Sequence, residues 1–181
     1  NNSSIGIGAS GTGSTIASFT ATNSGATQIS GVFTVTPTAA SCVGAVKTFT
    51  VSVNPLPTIT VNSGTICQGA TFTISPNGAS SYTIQGGSSV VNPTITSTYS
   101  VRGTNIFGCF SQNIVTSTVT IKANPNVAIN WPNPICIGEN KTLTATGANT
   151  YTWSNALNTN TIVVTPSITS VYSVTGTGIN N

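Results

Sequence analysis

Eight short runs of this chain alternate apolar with hydroxyl-bearing residues: GVFTVTP, TFTVSV, TFTIS, SYTI, STVTIK, TLTATG, TYTWS and VYSVTG. Successive side chains of a pleated strand point to opposite faces, so a two-residue period marks strands with one buried face and one open face. In TFTVSV the pattern predicts Phe49, Val51 and Val53 inward, with Thr48, Thr50 and Ser52 outward. Threonine suits the outward positions because its β-branched side chain fits the pleat without adding a fully apolar surface. No window carries the i, i+3, i+4, i+7 stripe of a helix. Gly, Pro and Asn77-Gly78 turn signals recur between the runs, as a sandwich of short strands requires. The expected class is all-β, built of β-sandwiches.

The runs also repeat. ICQGATFTISPNGASSYTI aligns with ICIGENKTLTATGANTYTW, which sets Cys67 against Cys136 and Tyr82 against Tyr151, each pair 69 positions apart. After a four-residue insertion, Pro93 and Pro166, and Tyr99 and Tyr172, stand 73 apart. An earlier segment, SCVGAVKTFTVSVNPLP, resembles the end of the first of these copies, GCFSQNIVTSTVTIKANPN. In both, a cysteine precedes an alternating strand and then Asn-Pro (Asn54-Pro55, Asn124-Pro125). The spacing predicts three units: residues 1–54 as the end of one sandwich, 57–124 as a complete one, and 126–181 as one truncated before its last strand. The counterpart of Cys109 falls one place beyond Asn181, so both ends of the chain are expected to cut through folds. The expectation is a piece of a longer polypeptide, or a subunit whose missing strands come from neighbouring chains. The prolines in the junctions VNPLPT and ANPNV fix φ and bias the units toward a semi-rigid rod.

Chemistry is restricted by what the chain lacks. It has no His, no Asp and a single Glu, so a carboxylate pair, a Ser-His-Asp triad and a calcium cage of side chains are all unavailable. The segment is therefore expected to be non-enzymatic, with no cofactor and no metal. Charged residues make up 3% of the chain, and the net charge of +3 comes from isolated Lys47, Arg102, Lys122 and Lys141 against Glu139. Without a basic run, nucleic acid is not an expected partner. No stretch reaches the roughly 20 apolar residues needed for a membrane span, and NNSSIGIGAS lacks signal-peptide features.

Four cysteines, Cys42, Cys67, Cys109 and Cys136, occur without any CxxC pair, which disfavours zinc and redox motifs and leaves disulfides or buried thiols. The middle unit holds both an early cysteine and a late one, predicting a Cys67–Cys109 bond. Such a bond would close a loop of about 43 residues, worth on the order of 4 kcal/mol by chain entropy. Cys42 and Cys136 are expected to lack a partner within their own units.

Tyr82, Tyr99, Tyr151, Tyr172 and Trp153 fall at inward positions and are expected in the cores. Trp153 aligns with Ile84; a core residue packed on an inter-sheet disulfide is weighed against a sugar-stacking platform. Trp131 aligns with Asn62 at the 69-residue offset and sits beside Pro132; an interdomain contact is weighed against an exposed stacking surface. Asn1-Asn2-Ser3, Asn2-Ser3-Ser4 and Asn140-Lys141-Thr142 match the N-glycosylation pattern. A surface so poor in charge favours association, so its hydroxyl-rich faces are expected to be glycosylated or covered by neighbouring copies.

The segments SIGIGASGTGSTIASFTATN, FTVTPTAASCVGAVKTFTVSVNPLPT and PICIGENKTLTATGANTYTWSNALNTNTIVVTPSITSVYSVTGTG resemble the PKD-like and immunoglobulin-like tandem repeats of very large secreted surface proteins of Bacteroidota. These include gliding-motility adhesins and other type IX secretion cargo. The resemblance implies an extracellular, cell-surface location and a structural or adhesive role in a fibre or long adhesin. The partners it implies are neighbouring repeats, copies of the same protein and surface glycans. A filament subunit completed by a neighbour's strand, and a spacer or carbohydrate-binding module of a secreted hydrolase, are the alternatives.

Overall fold

A computed structural model describes residues 5, 6, 8, 11–131 and 134–178 of the chain. The fold is all-β, with several sheets in an arrangement consistent with a β-sandwich and no α-helix among the described residues. Two compact units emerge, one of Asn1–Gly64 with Thr71–Thr120 and one of Thr65–Ala70 with Ile121–Asn181.

The strands in chain order begin with β1 (Ile29–Val35), β2 (Thr38–Ala39), β3 (Cys42–Val43) and β4 (Lys47–Val53). Then come β5 (Thr60–Val61), β6 (Gly64–Cys67), β7 (Phe72–Thr73), β8 (Pro76–Asn77), β9 (Ser81–Ile84), β10 (Val90–Val91), β11 (Ser97–Thr104) and β12 (Val115–Lys122). The last group is β13 (Ala128–Asn130), β14 (Lys141–Thr146), β15 (Thr150–Trp153), β16 (Thr161–Val164) and β17 (Val174–Thr177).

β1 and β4 form a two-stranded antiparallel ladder in which Phe33 faces Phe49. Phe33 is buried, with the Phe49 ring stacked at 4.7 Å and the Phe19 ring tilted at 6.1 Å. The alternation of β4 survives at half-buried Val51 and Val53, but Phe49 is 43% exposed rather than enclosed. Among the described residues its sheet has two strands, so one face of the ring packs while the other meets solvent.

The middle copy carries a four-stranded sheet in the order β6-β12-β11-β9. Strand β12 is antiparallel to β11, with Ser97 opposite Val119 and Val101 opposite Val115. On its other side, Asn62 O accepts from Ser117 Oγ, Ser63 Oγ accepts from Thr118 N–H, and Gln68 N–H donates to Lys122 O. Residue numbers rise together along this edge, so the β6 segment runs parallel to β12. Val119 and Ser117 are fully buried on the inner face of β12.

This parallel edge separates the two cysteines expected to bond. Cys67 lies level with Lys122 at the end of β12, whereas Cys109 lies in the turn before β12, its N–H held by Asn105 Oδ1 at 2.9 Å. Eight strand residues extend roughly 25 Å, while a disulfide needs Cα atoms within about 7 Å. No Cys67–Cys109 disulfide is formed, and Cys42 and Cys136 are exposed thiols.

The repeat seen in the sequence recurs as backbone register. Ile84–Val101, Thr83–Arg102, Tyr82–Gly103 and Ser81–Thr104 pair across β9 and β11; Trp153–Val174, Thr152–Thr175, Tyr151–Gly176 and Thr150–Thr177 pair across β15 and β17. Every partner has moved by the same 69 or 73 positions. The β7–β10 pairs, Phe72–Val91 and Thr73–Val90, likewise become Lys141–Val164 and Thr142–Val163 in β14–β16.

One difference traces to proline. TFTIS is strand only at Phe72–Thr73, and β8 resumes separately, whereas its counterpart β14 is continuous. Pro76 stands where the later copy has Ala145, whose N–H donates to Asn160 O at 2.7 Å. Proline has no N–H to give, so the ladder breaks there. The Asn62 side chain bridges the gap, donating to Thr73 O and accepting from Ser75 N–H.

Candidate functional site: an apolar groove in the third segment

The core of the third segment is built from Leu143, Ala145, Trp153, Ile162 and Val164, with Ile129, Tyr151, Tyr172 and Val174 packed against it. Trp153 is 2% exposed and its indole N–H donates to Thr159 O at 2.8 Å, so it is a satisfied core residue in this structure. The corresponding middle core holds Ile59, Ile74 and Val101, flanked by Phe72, Tyr82, Ile84 and Tyr99 among others.

Two of the tyrosines do more than fill space. Tyr82 Oη accepts from Ala79 N–H at 2.8 Å and donates to Ala79 O at 3.0 Å; Tyr151 Oη makes the same pair with Ala148 at 2.9 and 2.8 Å. Each phenol thus satisfies both polar groups of one tight-turn residue beside the core. A Tyr three residues after the alanine of Gly-Ala, present in both copies, is the signal that would have revealed it.

Both turns also depend on a glycine. Gly78 and Gly147 have φ of +99° and +90°, and a Cβ at either would lie 2.0 Å from Thr58 O or 1.9 Å from Asn126 O. These contacts correct the alignment of Trp131. Thr58 and Asn126 are 68 apart, and β5–β8 pairs Thr60 with Asn77 where β13–β14 pairs Ala128 with Thr146. The entry strand of the later copy is therefore offset by 68, not 69, and Trp131 stands opposite Ser63 rather than Asn62. The extra residue lies between Trp131 and Cys136.

Trp131 is 62% exposed and lines a groove of about 620 Å³ within the third segment. Buried Leu143 and Val164 lie at its base; Ile135 and Ile137 border it from one segment, and Ile168, Val171 and Tyr172 from another. In the middle copy the counterparts of these two segments are β6 and the first half of β11, the strands between which β12 runs. The sequence run VYSVTG is strand only from Val174, where β17 pairs with β15.

Beside the groove, Lys141 Nζ meets Glu139 Oε1 at 2.5 Å and Cys136 N–H approaches the same carboxylate at 3.4 Å. The Lys141 hydrogen bond, helped by the Cys136 amide, holds the Glu139 carboxyl below its ordinary value. Asn140, the one glycosylation motif within the described residues, accepts from Thr165 Oγ1 through its side chain. The two motifs at residues 1–4 lie outside the described residues. Among the described residues no cluster of three or more His, Cys, Asp or Glu is present, and no helix is long and apolar enough to cross a membrane. Compared with models of known protein families and with curated proteins, the chain matches none.

Proposed function

We propose that the chain is a non-enzymatic structural or adhesive segment of an extracellular fibre or long cell-surface adhesin, assembled from tandem Ig-like or PKD-like sandwiches. The observation that carries this reading is the recurrence of one strand register in two successive copies, down to the Tyr–Ala hydrogen bonds. A chain that repeats a scaffold at this fidelity, with turns and core preserved and little ionisable chemistry on it, serves by length and multiplicity. Neighbouring repeats or further copies are its partners, and glycans are the ligands its hydroxyl-rich faces would meet.

Antibodies raised against residues 57–178 provide the test. Labelling of intact source cells, abolished by protease treatment of whole cells, is the expected result. Labelling only after lysis overturns the reading, and a catalytic domain on the same polypeptide converts it to a spacer of a secreted enzyme.

A further inference from the structure

We infer that a second concavity of the third segment, a polar cleft beside the turn at Gly147, is a binding site for a neutral sugar. The inference deepens the proposed surface role by naming the ligand class, and it rests on that reading for where the sugar is met.

The cleft encloses about 550 Å³, within the roughly 300–1,000 Å³ of small-ligand sites. One wall is the turn of residues 146–150 with Tyr151; the other is Asn158 and Asn160. The second wall exists because this copy is longer. Two bonds of the middle copy, Gln85 N–H to Ser100 O and Gly87 N–H to Ile84 O, recur as Ser154 N–H to Ser173 O and Ala156 N–H to Trp153 O. The offset of 69 therefore holds as far as Ala156, and strand pairing sets it at 73 by Val163, the counterpart of Val90. The four added residues fall within 157–162, where the middle copy has only Ser88 and Ser89.

The longer loop is pinned along its length. Trp153 donates its backbone N–H to Leu157 O at 2.9 Å and its indole N–H to Thr159 O at 2.8 Å, and Ala145 N–H donates to Asn160 O at 2.7 Å. Asn158 and Asn160 line the cleft while Thr159 between them does not, the alternation of an extended chain. Across from them, Asn149 N–H donates to Thr177 O at 2.9 Å and Ala148 is held by the Tyr151 phenol. Both walls thus have an ordered main chain, which lowers the cost of binding. Asn158 Oδ1 accepts from Thr152 Oγ1, whereas the carboxamides of Asn149 and Asn160 have no partner among the described residues.

The lining selects its ligand by what it offers. It carries three carboxamides, the hydroxyls of Thr146 and Thr150, and no charged side chain. A phosphate or carboxylate finds no cation there, and an aliphatic ligand finds little beyond two alanines and the Tyr151 ring. A carboxamide both donates and accepts, as does a sugar hydroxyl, so neighbouring ring hydroxyls can pair with both ends of one side chain. The middle copy has Ser80 in place of Asn149 and lacks the longer loop, which makes it an internal control.

In the test, the isotope-labelled 181-residue chain is titrated by NMR with the methyl glycosides of glucose, galactose, mannose and N-acetylglucosamine, and with sodium glucuronate as a charged counterpart. Concentrations run to about 50 mM, since a few neutral hydrogen bonds give roughly millimolar affinity. At least one glycoside is expected to shift the side-chain amide signals of Asn149, Asn158 and Asn160 along one saturating curve, while the backbone amides of Ser80 and Ser88 stay unmoved. Asn149→Ala and Asn160→Ala keep the main-chain bonds, and an unchanged Trp153 indole signal reports an intact fold. Each is expected to weaken binding about three- to tenfold. No saturable shift with any of the four glycosides, unaltered affinity in both alanine variants, or tighter binding of glucuronate than of every glycoside would each overturn the proposal. Failure here leaves the surface role standing, because cell labelling reads location without any sugar; loss of surface labelling with binding intact removes that role and leaves the cleft a sugar site.

Discussion

At the scale of single residues, the third segment and the middle one hang on the same few atoms. Gly147→Ala forces a left-handed backbone onto an L side chain and drives its Cβ into Asn126 O, a backbone atom that cannot swing aside. A loss of roughly 2–4 kcal/mol is expected by urea denaturation, with Gly78→Ala the matching change in the middle copy. Tyr151→Phe keeps the ring but leaves both Ala148 groups without their phenol partner, and about 1–3 kcal/mol of stability should go with it. Glu139 is the sole acidic side chain and its folded pKa lies below 4.5. Its favourable pairing is therefore present above that value and fades only as pH falls through the lowered one. Melting temperature is expected to change little between pH 5 and 7, and Glu139→Gln should flatten the decline seen in acid.

The strands show how far the sequence could be trusted. Alternation located β1, β4, β9, β12, β14 and β15 because each has one apolar face, and the tyrosines anchored the offsets that reappear as paired registers in β9–β11 and β15–β17. Where no such anchor exists the reading slipped. The 69-residue offset fixed at Cys136 places Trp131 against Asn62, one position off, because an added residue in between leaves no trace in an unpatterned stretch. The parallel pairing of β6 with β12, and with it the separation of Cys67 from Cys109, is a matter of which edge meets which, and periodicity is silent on that. The groove was not legible as a site; its walls come from residues 134–137 and 168–172, of which only Val171 and Tyr172 belong to an alternating run. Trp153→Ala tests the element-scale account. Its indole is part of the buried cluster with Leu143, Ala145, Ile162 and Val164, so about 3–5 kcal/mol should be lost, enough to abolish the cooperative transition of the smaller unit in a thermal scan.

At the scale of the whole molecule, stability divides between two compact units, each with its own core. Equilibrium unfolding is expected to depart from a single two-state curve, and Gly147→Ala and Gly78→Ala should displace different portions of it. Because charged side chains are so few, raising salt from low to physiological ionic strength is expected to leave both portions almost unmoved. The paired tyrosine clips give this division a reporter that needs no label. The amide hydrogens of Ala79 and Ala148, each held by a phenol oxygen at the margin of a different core, can trade for deuterium only when their own turn lets go. Timed by mass spectrometry on short peptides, the two sites become separate clocks within one chain. Whichever runs faster names the segment that opens first.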